Sequence, residues 1–239
     1  MKLGIMQPYF MPYIGYWQLM NAVDQYVIYD DVNFIKGGWI NRNRILLNGE
    51  IKYFNIQMAG GASPFKHINE IGISDNVAVI NKNLRILDAA YGKAPCFDRV
   101  MPLMERILLH QAENLALFIK HSFEEVIQYL NIDTKLILSS DLQKDNELRG
   151  QDKIIAMCRL LKADEYYNAI GGQELYSYQK FRENGIKLKF LKTGEVVYKQ
   201  FDNEFISNLS MIDMMMFNSA AQVKEFLTNY SLLGEDGEN

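Results

Sequence analysis

Short apolar runs alternate with amphipathic stretches in the opening segment of the chain. Residues 2–6 are mostly apolar and end at Gln7-Pro8, which predicts a buried strand followed by a loop. Apolar residues then recur with helical spacing over 14–20, and the run 26–29 predicts a second strand. Residues 1–31 therefore form one predicted β-loop-α-β unit.

The middle of the chain carries two other patterns. Asn48-Gly49 separates two β-prone runs and predicts a hairpin, because both residues tolerate positive φ. This hairpin region spans 42–73 and ends in a further predicted strand after a Gly-rich loop. Helical periodicity dominates 77–130 and is broken near 92–95, and Pro102 is a candidate for a second break.

Strands and helices alternate again after residue 133. Over 135–191 they predict a second βαβαβ half, because this alternation implies right-handed crossovers between parallel strands. Further helices are predicted over 204–230, and the small acidic tail 234–239 is predicted to fray. Residues 1–233 are thus predicted to form one α/β domain with a Rossmann-like, doubly wound, mainly parallel sheet of about five strands. The hairpin and the helical stretch are predicted insertions between its halves.

Composition limits the classes of protein that fit. The net charge of −4 and the pI near 5.5 give no electrostatic reason to expect nucleic acid or an anionic membrane surface as partner, whereas clustered arginines suit a small anionic ligand. Cys96 and Cys158 are too few for a disulfide framework, and Cys158 lies in an apolar helical stretch. The chain shows no secretory signal pattern and no apolar run of roughly 20 residues, so a cytoplasmic protein is predicted.

Doubly wound sheets bind ligands beyond the carboxyl ends of their strands. The loops predicted to share one crevice are therefore those after Met6, Tyr29, Leu138 and Ala169. In the first of these loops, Gln7 can donate and accept hydrogen bonds, and Gly15 allows a close approach to the start of the helix. The tyrosines offer flat faces for stacking, although a Pro-braced turn of packed aromatics also explains them. The candidate binding residues here are Gln7, Pro8, Tyr9, Gly15 and Tyr16.

Asp30-Asp31 ends the second strand, where neighbouring side chains point to opposite faces. One carboxylate is expected to bind a hydroxyl, an amine or Mg²⁺ in the crevice, and the other to cap the next turn. A plain turn signal explains the two residues equally well.

Residues 36–44 place three cations, two amides and an indole side by side in a net acidic chain. Arginine forks suit phosphate or carboxylate, and the indole suits a base or a sugar. A solvated hairpin edge is the alternative interpretation. If 41–44 is extended, its asparagines share one face and its arginines the other. The candidate site residues of this segment are Lys36, Trp39, Asn41, Arg42, Asn43 and Arg44.

A later predicted strand also leads into a glycine-rich loop. Asn168 lies at the end of that strand, and Gly171-Gly172 would admit a phosphate or ribose against the following helix, although ordinary connections use a glycine pair too. The chain has no Walker loop, strand-linked G-x-G-x-x-G, H-E-x-x-H or nucleophile elbow, and no metal site is predicted. His67 becomes a candidate if its loop folds over the crevice.

Residues 6–16, 28–32 and 39–45 carry three long motifs, and further motifs continue to residue 210. Together they resemble the WbqC-like protein family over nearly the whole chain. Members of this family are often encoded among bacterial surface-polysaccharide genes, so the resemblance implies a role in surface-polysaccharide biosynthesis.

The segment 12–16 is also similar in position to the H-x-G-H signature of nucleotidylyltransferase-like Rossmann enzymes. Tyr13 and Tyr16 replace both histidines, which contact phosphates in that superfamily. This resemblance therefore implies the topology and the location of the site, and it argues against nucleotidyl transfer itself.

The leading hypothesis from the sequence is a group-transfer enzyme that acts on a nucleotide-linked or otherwise anionic sugar metabolite. One version is acyl or aminoacyl transfer after adenylate activation, with ATP or a nucleotide sugar and Mg²⁺ as the implied cofactors. Lys36, Arg42 and Arg44 would bind the anion and stabilise negative charge, and Asp30 or Asp31 would orient a hydroxyl or amine. The alternative is a non-catalytic Rossmann-like module that binds a nucleotide or another small molecule.

Overall fold

The computed structural model describes residues 1–61, 63–235 and 237–238 of the 239. In chain order, the strands within these residues are β1 (Lys2–Met6), β2 (Gln25–Ile28), β3 (Arg42–Leu47), β4 (Glu50–Asn55), β5 (Lys135–Leu138), β6 (Glu165–Ala169), β7 (Lys187–Thr193), β8 (Tyr230–Gly234) and β9 (Gly237–Glu238). The α-helices are α1 (Ile14–Asn21), α2 (Val77–Tyr91), α3 (Phe97–Leu109), α4 (Leu115–Leu130), α5 (Gly150–Leu160), α6 (Tyr178–Glu183), α7 (Met211–Phe217) and α8 (Ala220–Leu227).

The main sheet has the strand order β5-β2-β1-β6-β7-β8-β9. Neighbours among β5, β2, β1, β6 and β7 run parallel, while β8 and β9 add an antiparallel edge. The prediction of a Rossmann-like, mainly parallel sheet of about five strands is confirmed. The strand order reverses between β1 and β6, and α5 carries the chain from one half of the sheet to the other.

Side-chain alternation along the strands divides the core between the two faces of the sheet. Leu3, Ile5 and Val27 point to the face covered by α5 and α6. Tyr26 and Ile28 point to the opposite face, which is covered by α1, α7, α8 and the helical insertion. Helices therefore bury both faces, as a doubly wound sheet requires.

The β3–β4 hairpin and the helices α2–α4 occupy the connection between β2 and β5. Asn48 and Gly49 form the hairpin turn with φ values of 54° and 77°, so the turn predicted from their tolerance of positive φ is present. Because β5 pairs with β2, the insertion leaves and re-enters the sheet on the same side of β1.

Two local predictions within this insertion are wrong. The further strand predicted over 67–73 is replaced by a 3₁₀ turn over Ile68–Glu70, and the segment pairs with the chain beside it only through isolated bridges such as Asn33–His67. Pro102 does not break the helix, because α3 runs through it and buries an apolar stripe against the neighbouring helices. Tertiary packing there outweighs the roughly 3 kcal/mol that an interior proline costs.

The C-terminal segment contains α7 and α8 within the predicted helical range 204–230. The tail predicted to fray over 234–239 is instead paired where it is described, because Gly234 lies opposite Gly237 in the β8–β9 pair. Residues 236 and 239 of that prediction lie outside the described residues.

Candidate functional site

A cavity of about 500 Å³ opens at the carboxyl edge of the sheet, between the loops after β2 and β5 and the first turn of α5. Two of the four loops predicted to share a crevice therefore supply its walls, and His67 joins them from the insertion. The charged walls of this cavity distinguish it from a second cavity of about 390 Å³, which lies between α2 and the end of α3. That second cavity is lined mainly by apolar and neutral residues. The lining residues of the charged cavity are Tyr29, Asp31, Val32, Asn33, His67, Asn146, Arg149, Gly150 and Lys153.

Asp31 is the carboxylate on the cavity wall. Its Oδ2 lies 2.7 Å from Nζ of Lys144 and 3.7 Å from Nζ of Lys153, and its Oδ1 accepts a hydrogen bond from the hydroxyl of Ser139. Burial by itself would raise the pKa of Asp31, but the hydrogen bonds from Lys144 and Ser139 and the charges of both lysines outweigh it. The pKa of Asp31 therefore lies below its ordinary value, and the carboxylate stays charged.

Lys153 stands in the first turn of α5 and is only 5% exposed. Within the described residues its ammonium makes no hydrogen bond: it contacts Asp31 through the 3.7 Å ion pair and lies 5.5 Å from the centroid of the Tyr29 ring. Burying an ammonium is costly unless its hydrogen bonds are satisfied. Lys153 therefore has donor capacity to offer to an acceptor in the cavity.

The start of α5 adds further positive character. Arg149 occupies the N-cap position but makes no side-chain capping hydrogen bond, so this helix end keeps unsatisfied N–H groups. The guanidinium of Arg149 donates to the carbonyls of Asn146 and Leu148. These carbonyls carry no net charge, so they do not neutralise the arginine. Lys144 and Lys153 thus pair with the single wall carboxylate of Asp31, and Arg149 adds a second cation to the cavity wall beside Lys153.

Asp30 lies behind the wall and is fully buried. It accepts hydrogen bonds from the Ser139 hydroxyl at 3.1 Å, the Ser140 N–H at 3.0 Å and the Ser140 hydroxyl at 2.7 Å. One aspartate thus lines the crevice while the other holds the next turn, and the ligand-binding role of the first stays a prediction. The alternation of side chains along a strand predicted that Asp30 and Asp31 point to opposite faces. That prediction fails, because β2 already ends at Ile28 and both carboxylates accept from Ser139.

The charges around Asp31 do not favour Mg²⁺ there. Two lysines already lie against this carboxylate and would repel a divalent cation, and Asp30 is committed to three hydrogen bonds. Across residues 1–61, 63–235 and 237–238, no three His, Cys, Asp or Glu side chains are grouped to hold a metal ion.

The loop after β1 is packed more tightly than the sequence predicts. Tyr16 is 2% exposed, donates to the Gln7 carbonyl at 2.5 Å and packs 5.7 Å from Tyr9, so its predicted role as a stacking surface for a ligand is wrong. Gly15 does meet a close neighbour, but an added Cβ would lie 2.5 Å from Oγ1 of Thr193. These residues brace the site and do not line the cavity, and Pro8 is buried with them.

The β3–β4 hairpin presents its two faces as predicted. The amide of Asn43 is buried and donates to the Phe10 carbonyl at 3.1 Å, and that of Asn41 donates to the Ile56 carbonyl at 3.1 Å. The opposite face carries Arg42 and Arg44, with Trp39 and Lys36 exposed beside them. None of these six candidates belongs to the cavity wall, so the structure separates the cationic cluster from the crevice.

The loop after β6 approaches α5 from the other side. The amide of Asn168 is buried and donates to the hydroxyls of Tyr166 at 2.6 Å and Tyr176 at 3.3 Å. Gly171 is open, since an added Cβ would meet nothing within 4 Å, whereas at Gly172 it would lie 2.8 Å from Oδ1 of Asn168. The Ser177 N–H donates to Oε1 of Gln151 at 3.1 Å and ties this loop to α5.

Sequence reasoning missed Arg149 and Lys153 on the cavity wall, and Lys144, which pairs with Asp31. Lys144 and Arg149 lie in a polar stretch that has no periodicity. Lys153 carried a weak signal, because it precedes Met157 by four residues and so belongs to the apolar stripe of the predicted helix. A lysine in such a stripe is buried only if it has a partner, and the partner was far away along the chain.

Fold and cavity together define a Rossmann-like α/β protein with a crevice lined by charged side chains at the carboxyl edge of its sheet. The chain belongs to the WbqC-like protein family, which matches residues 7–225. It is 26% identical over 228 residues to the uncharacterized protein Rv1507c of Mycobacterium tuberculosis, covering 95% of this chain and 97% of that protein. No solved structure matches it. Among the described helices, none has the length and apolar character needed to cross a membrane.

Proposed function

We propose that the protein is a group-transfer enzyme of bacterial surface-polysaccharide biosynthesis, and that the cavity beside α5 binds the phosphate or carboxylate of a nucleotide-linked sugar. The observation that carries the proposal is the position of Lys153: a buried ammonium at a helix start, facing a cavity, with hydrogen-bonding capacity unused. The biosynthetic context is inferred from the occurrence of genes of this family among bacterial surface-polysaccharide genes, and the chain's membership of the family supports it.

Three features of the cavity support an anionic ligand. The open N–H groups of α5 attract negative charge, as helix starts do at many phosphate sites. Arg149 at the N-cap and Lys153 in the first turn of the same helix can donate to the same anion. The volume of about 500 Å³ lies within the range of small-molecule sites.

Acyl or aminoacyl transfer onto an amino sugar fits this charge distribution. The amine nitrogen of the sugar would attack the carbonyl carbon of an acyl adenylate, and preorganised donors such as Lys153 and the N–H groups of α5 would stabilise the negative charge that develops on the carbonyl oxygen. The acyl C–O bond to AMP then breaks, AMP leaves, and the proton lost by the amine passes to solvent. Asp31 lies 3.7 Å from the ammonium of Lys153 and is its counter-charge. Anion binding, which the sequence assigns to Lys36, Arg42 and Arg44, thus falls to Lys153 and Arg149 in this proposal.

Thermal unfolding with a panel of ligands tests the proposal. Inorganic phosphate, nucleoside diphosphates, ATP and nucleotide sugars would each be added to the wild type. A ligand at about 100 times its Kd contributes about 2.7 kcal/mol, so we expect at least one nucleotide sugar to raise the thermal midpoint by about 5 °C or more. If no member of the panel shifts the midpoint, the proposal is wrong.

The matched variants are Lys153→Gln and Lys82→Gln. Lys153→Gln should abolish most of the ligand-induced rise in the thermal midpoint. Lys82→Gln should leave that rise unchanged, because Lys82 is exposed on α2. Equal ligand-induced shifts of the thermal midpoint in both variants would show that the ligand does not bind in this cavity. The protein would then bind nucleotide sugars elsewhere.

The pairing of Asp31 with two lysines favours a second candidate function, a non-catalytic binding module, because it leaves the wall carboxylate unavailable as a general base. The two functions differ in turnover. Mass spectrometry of candidate donors and acceptors after incubation would show a new acylated sugar if the protein is an enzyme. Ligand-induced stabilisation without any product would support the module.

A further inference from the structure

An exposed apolar tip projects beside the cavity. Asn33 and His67 form an antiparallel bridge, and the Phe34 N–H donates to the Lys66 carbonyl at 2.9 Å, so the two segments run side by side. Ile35 and Phe65 are the next residues outward on these segments. Ile35 is half exposed and Phe65 is 92% exposed, which is unusual for a large aromatic side chain.

The tip continues into the outward face of the hairpin through the turn that follows Ile35. The Arg42 guanidinium donates to the carbonyls of Gly37 and Gly38, and it lies 4.4 Å from the centroid of the Tyr53 ring. The rings of Tyr53 and Trp39 are 6.2 Å apart, and both are exposed. Arg42 and the Gly37-Gly38 turn therefore link the tip to the aromatic pair of the hairpin face.

Cations without acidic partners surround these side chains. Across the described residues, Lys36, Lys66, Arg42 and Arg44 take part in no ion pair. The guanidinium of Arg44 donates to the Asn208 carbonyl at 2.9 Å. Like Arg42, Arg44 therefore has an uncharged backbone carbonyl as its hydrogen-bond partner, and its positive charge is not neutralised. These four cations create a local positive field on this surface. The net charge of −4 for the whole chain does not reveal it.

We propose that this tip and the adjoining hairpin face dock the protein on the surface of an anionic lipid bilayer. Aromatic rings with amphipathic character favour the headgroup level, apolar side chains enter the acyl boundary, and lysines and arginines attract anionic lipids. Phe65 and Ile35 protrude as a knob, and a fluid interface accepts a knob without a complementary pocket. This favours a bilayer over a protein partner.

The proposal has a geometric consequence for the cavity. Asn33 and His67 line the cavity, and Ile35 and Phe65 stand two residues further out on the same two segments. Docking by the tip would hold the mouth of the cavity close to the bilayer surface, so an acceptor carried in the membrane could reach it. The docking surface itself does not depend on whether the cavity is catalytic.

Co-sedimentation of the full-length protein with vesicles tests the surface directly. The probes are vesicles of phosphatidylcholine containing phosphatidylglycerol and vesicles of phosphatidylcholine alone, at low and high salt. We expect binding to the anionic vesicles that weakens with salt and is at least about tenfold weaker for the neutral ones. Phe65→Asp and the double variant Lys36→Glu/Lys66→Glu should each lower binding about tenfold.

Matched controls separate the surface from general effects of charge. Val197→Asp changes an exposed apolar residue elsewhere, and Lys82→Glu changes an exposed lysine on α2, and neither should alter binding. All these positions are exposed, so circular dichroism should show folded variants. Failure of the wild type to bind anionic vesicles, equal binding to both kinds of vesicle, or undiminished binding by Phe65→Asp would each overturn the proposal, the first in favour of a protein partner.

Discussion

The ammonium of Lys144 lies 2.7 Å from Oδ2 of Asp31, and the side chains of the two residues are 2% and 13% exposed. This enclosed pair joins the loop after β2 to the loop after β5, and its carboxylate lines the charged cavity. A buried pair of this kind is costly to break from one side, because the remaining charge loses its partner in a poorly solvated place.

Asp31→Asn should lower the free energy of unfolding at neutral pH by about 3 kcal/mol, because it leaves the Lys144 ammonium enclosed without a counter-charge. The pKa of Asp31 lies below the ordinary value of about 3.9, so its stabilising contribution is complete above that value and is lost as the pH falls through the lower folded-state pKa. Urea unfolding between neutral pH and about pH 3 should therefore show wild type and variant converging in acid.

The control for that experiment is Asp133→Asn, at an exposed aspartate. It should track the wild type at every pH. A constant difference between Asp31→Asn and the wild type down to the acid limit would show that Asp31 acts through shape and not through its charge.

Asp213 should carry a large share of stability on the opposite side of the sheet. This buried carboxylate accepts hydrogen bonds from Tyr91 at 2.9 Å, Tyr198 at 2.7 Å and Gln200 at 2.8 Å. Asp213→Ala leaves three enclosed donors unpaired and should cost about 3 kcal/mol or more in denaturant unfolding. The exposed Asp202 provides the comparison, and an equal effect of Asp202→Ala would refute this account of the buried network.

Asp213→Asn should be milder than Asp213→Ala. Burial raises the pKa of Asp213 despite the hydrogen bonds from its three partners, so the neutral form of this side chain is favoured more than in water. An amide retains the shape and one acceptor oxygen. Denaturant unfolding should rank the wild type, Asn and Ala in order of decreasing stability.

Gly15→Ala should destabilise the protein although alanine is the better helix former. The new Cβ would lie 2.5 Å from Oγ1 of Thr193 and 2.6 Å from the Tyr13 ring, and such overpacking costs about 1–3 kcal/mol. Gly171→Ala is the matched variant, because a Cβ there meets nothing within 4 Å and the change should stay within about 0.5 kcal/mol. Thermal unfolding of both variants would show at once whether Gly15 serves packing.

Cys158 should be inert in the folded protein. Burial raises the pKa of its thiol to about 12, which leaves almost no thiolate at mild pH, whereas Cys96 is only partly buried. A thiol reagent should modify Cys96 first and Cys158 only on unfolding. Peptide mapping of the labelled protein gives the order, and early modification of Cys158 would contradict the burial of that helix.

Local patterns predicted the main sheet well. The apolar run 2–6, the hairpin turn at Asn48-Gly49 and the alternation over 135–191 each report the burial of one short segment, so they survive in the structure. The prediction over 67–73 did not survive, because a β-prone segment becomes a strand only if another segment pairs with it along its length.

Some residues predicted for the site line the cavity and others do not, because contacts between distant segments decide which side chains reach it. Sequence order placed Tyr16 in a promising loop, but helix packing turned its ring into the core. It placed Asp31 at a strand end, where the cavity does lie, yet it could not show that Lys144 and Lys153 would meet that carboxylate. Those contacts arise from the crossovers of the chain, which bring distant segments together.

The sequence by itself determined most of the elements and the α/β class, because the periodicity of apolar residues follows backbone geometry and needs only local information. Its motifs also determined the family. The tertiary structure alone decided where charge gathers. Lys153 shares a cavity with Asp31, and Phe65 stands beside Ile35, because sheet order and loop pairing set distances through space. Electrostatic and surface interactions depend on those distances, and no pattern along the chain records them.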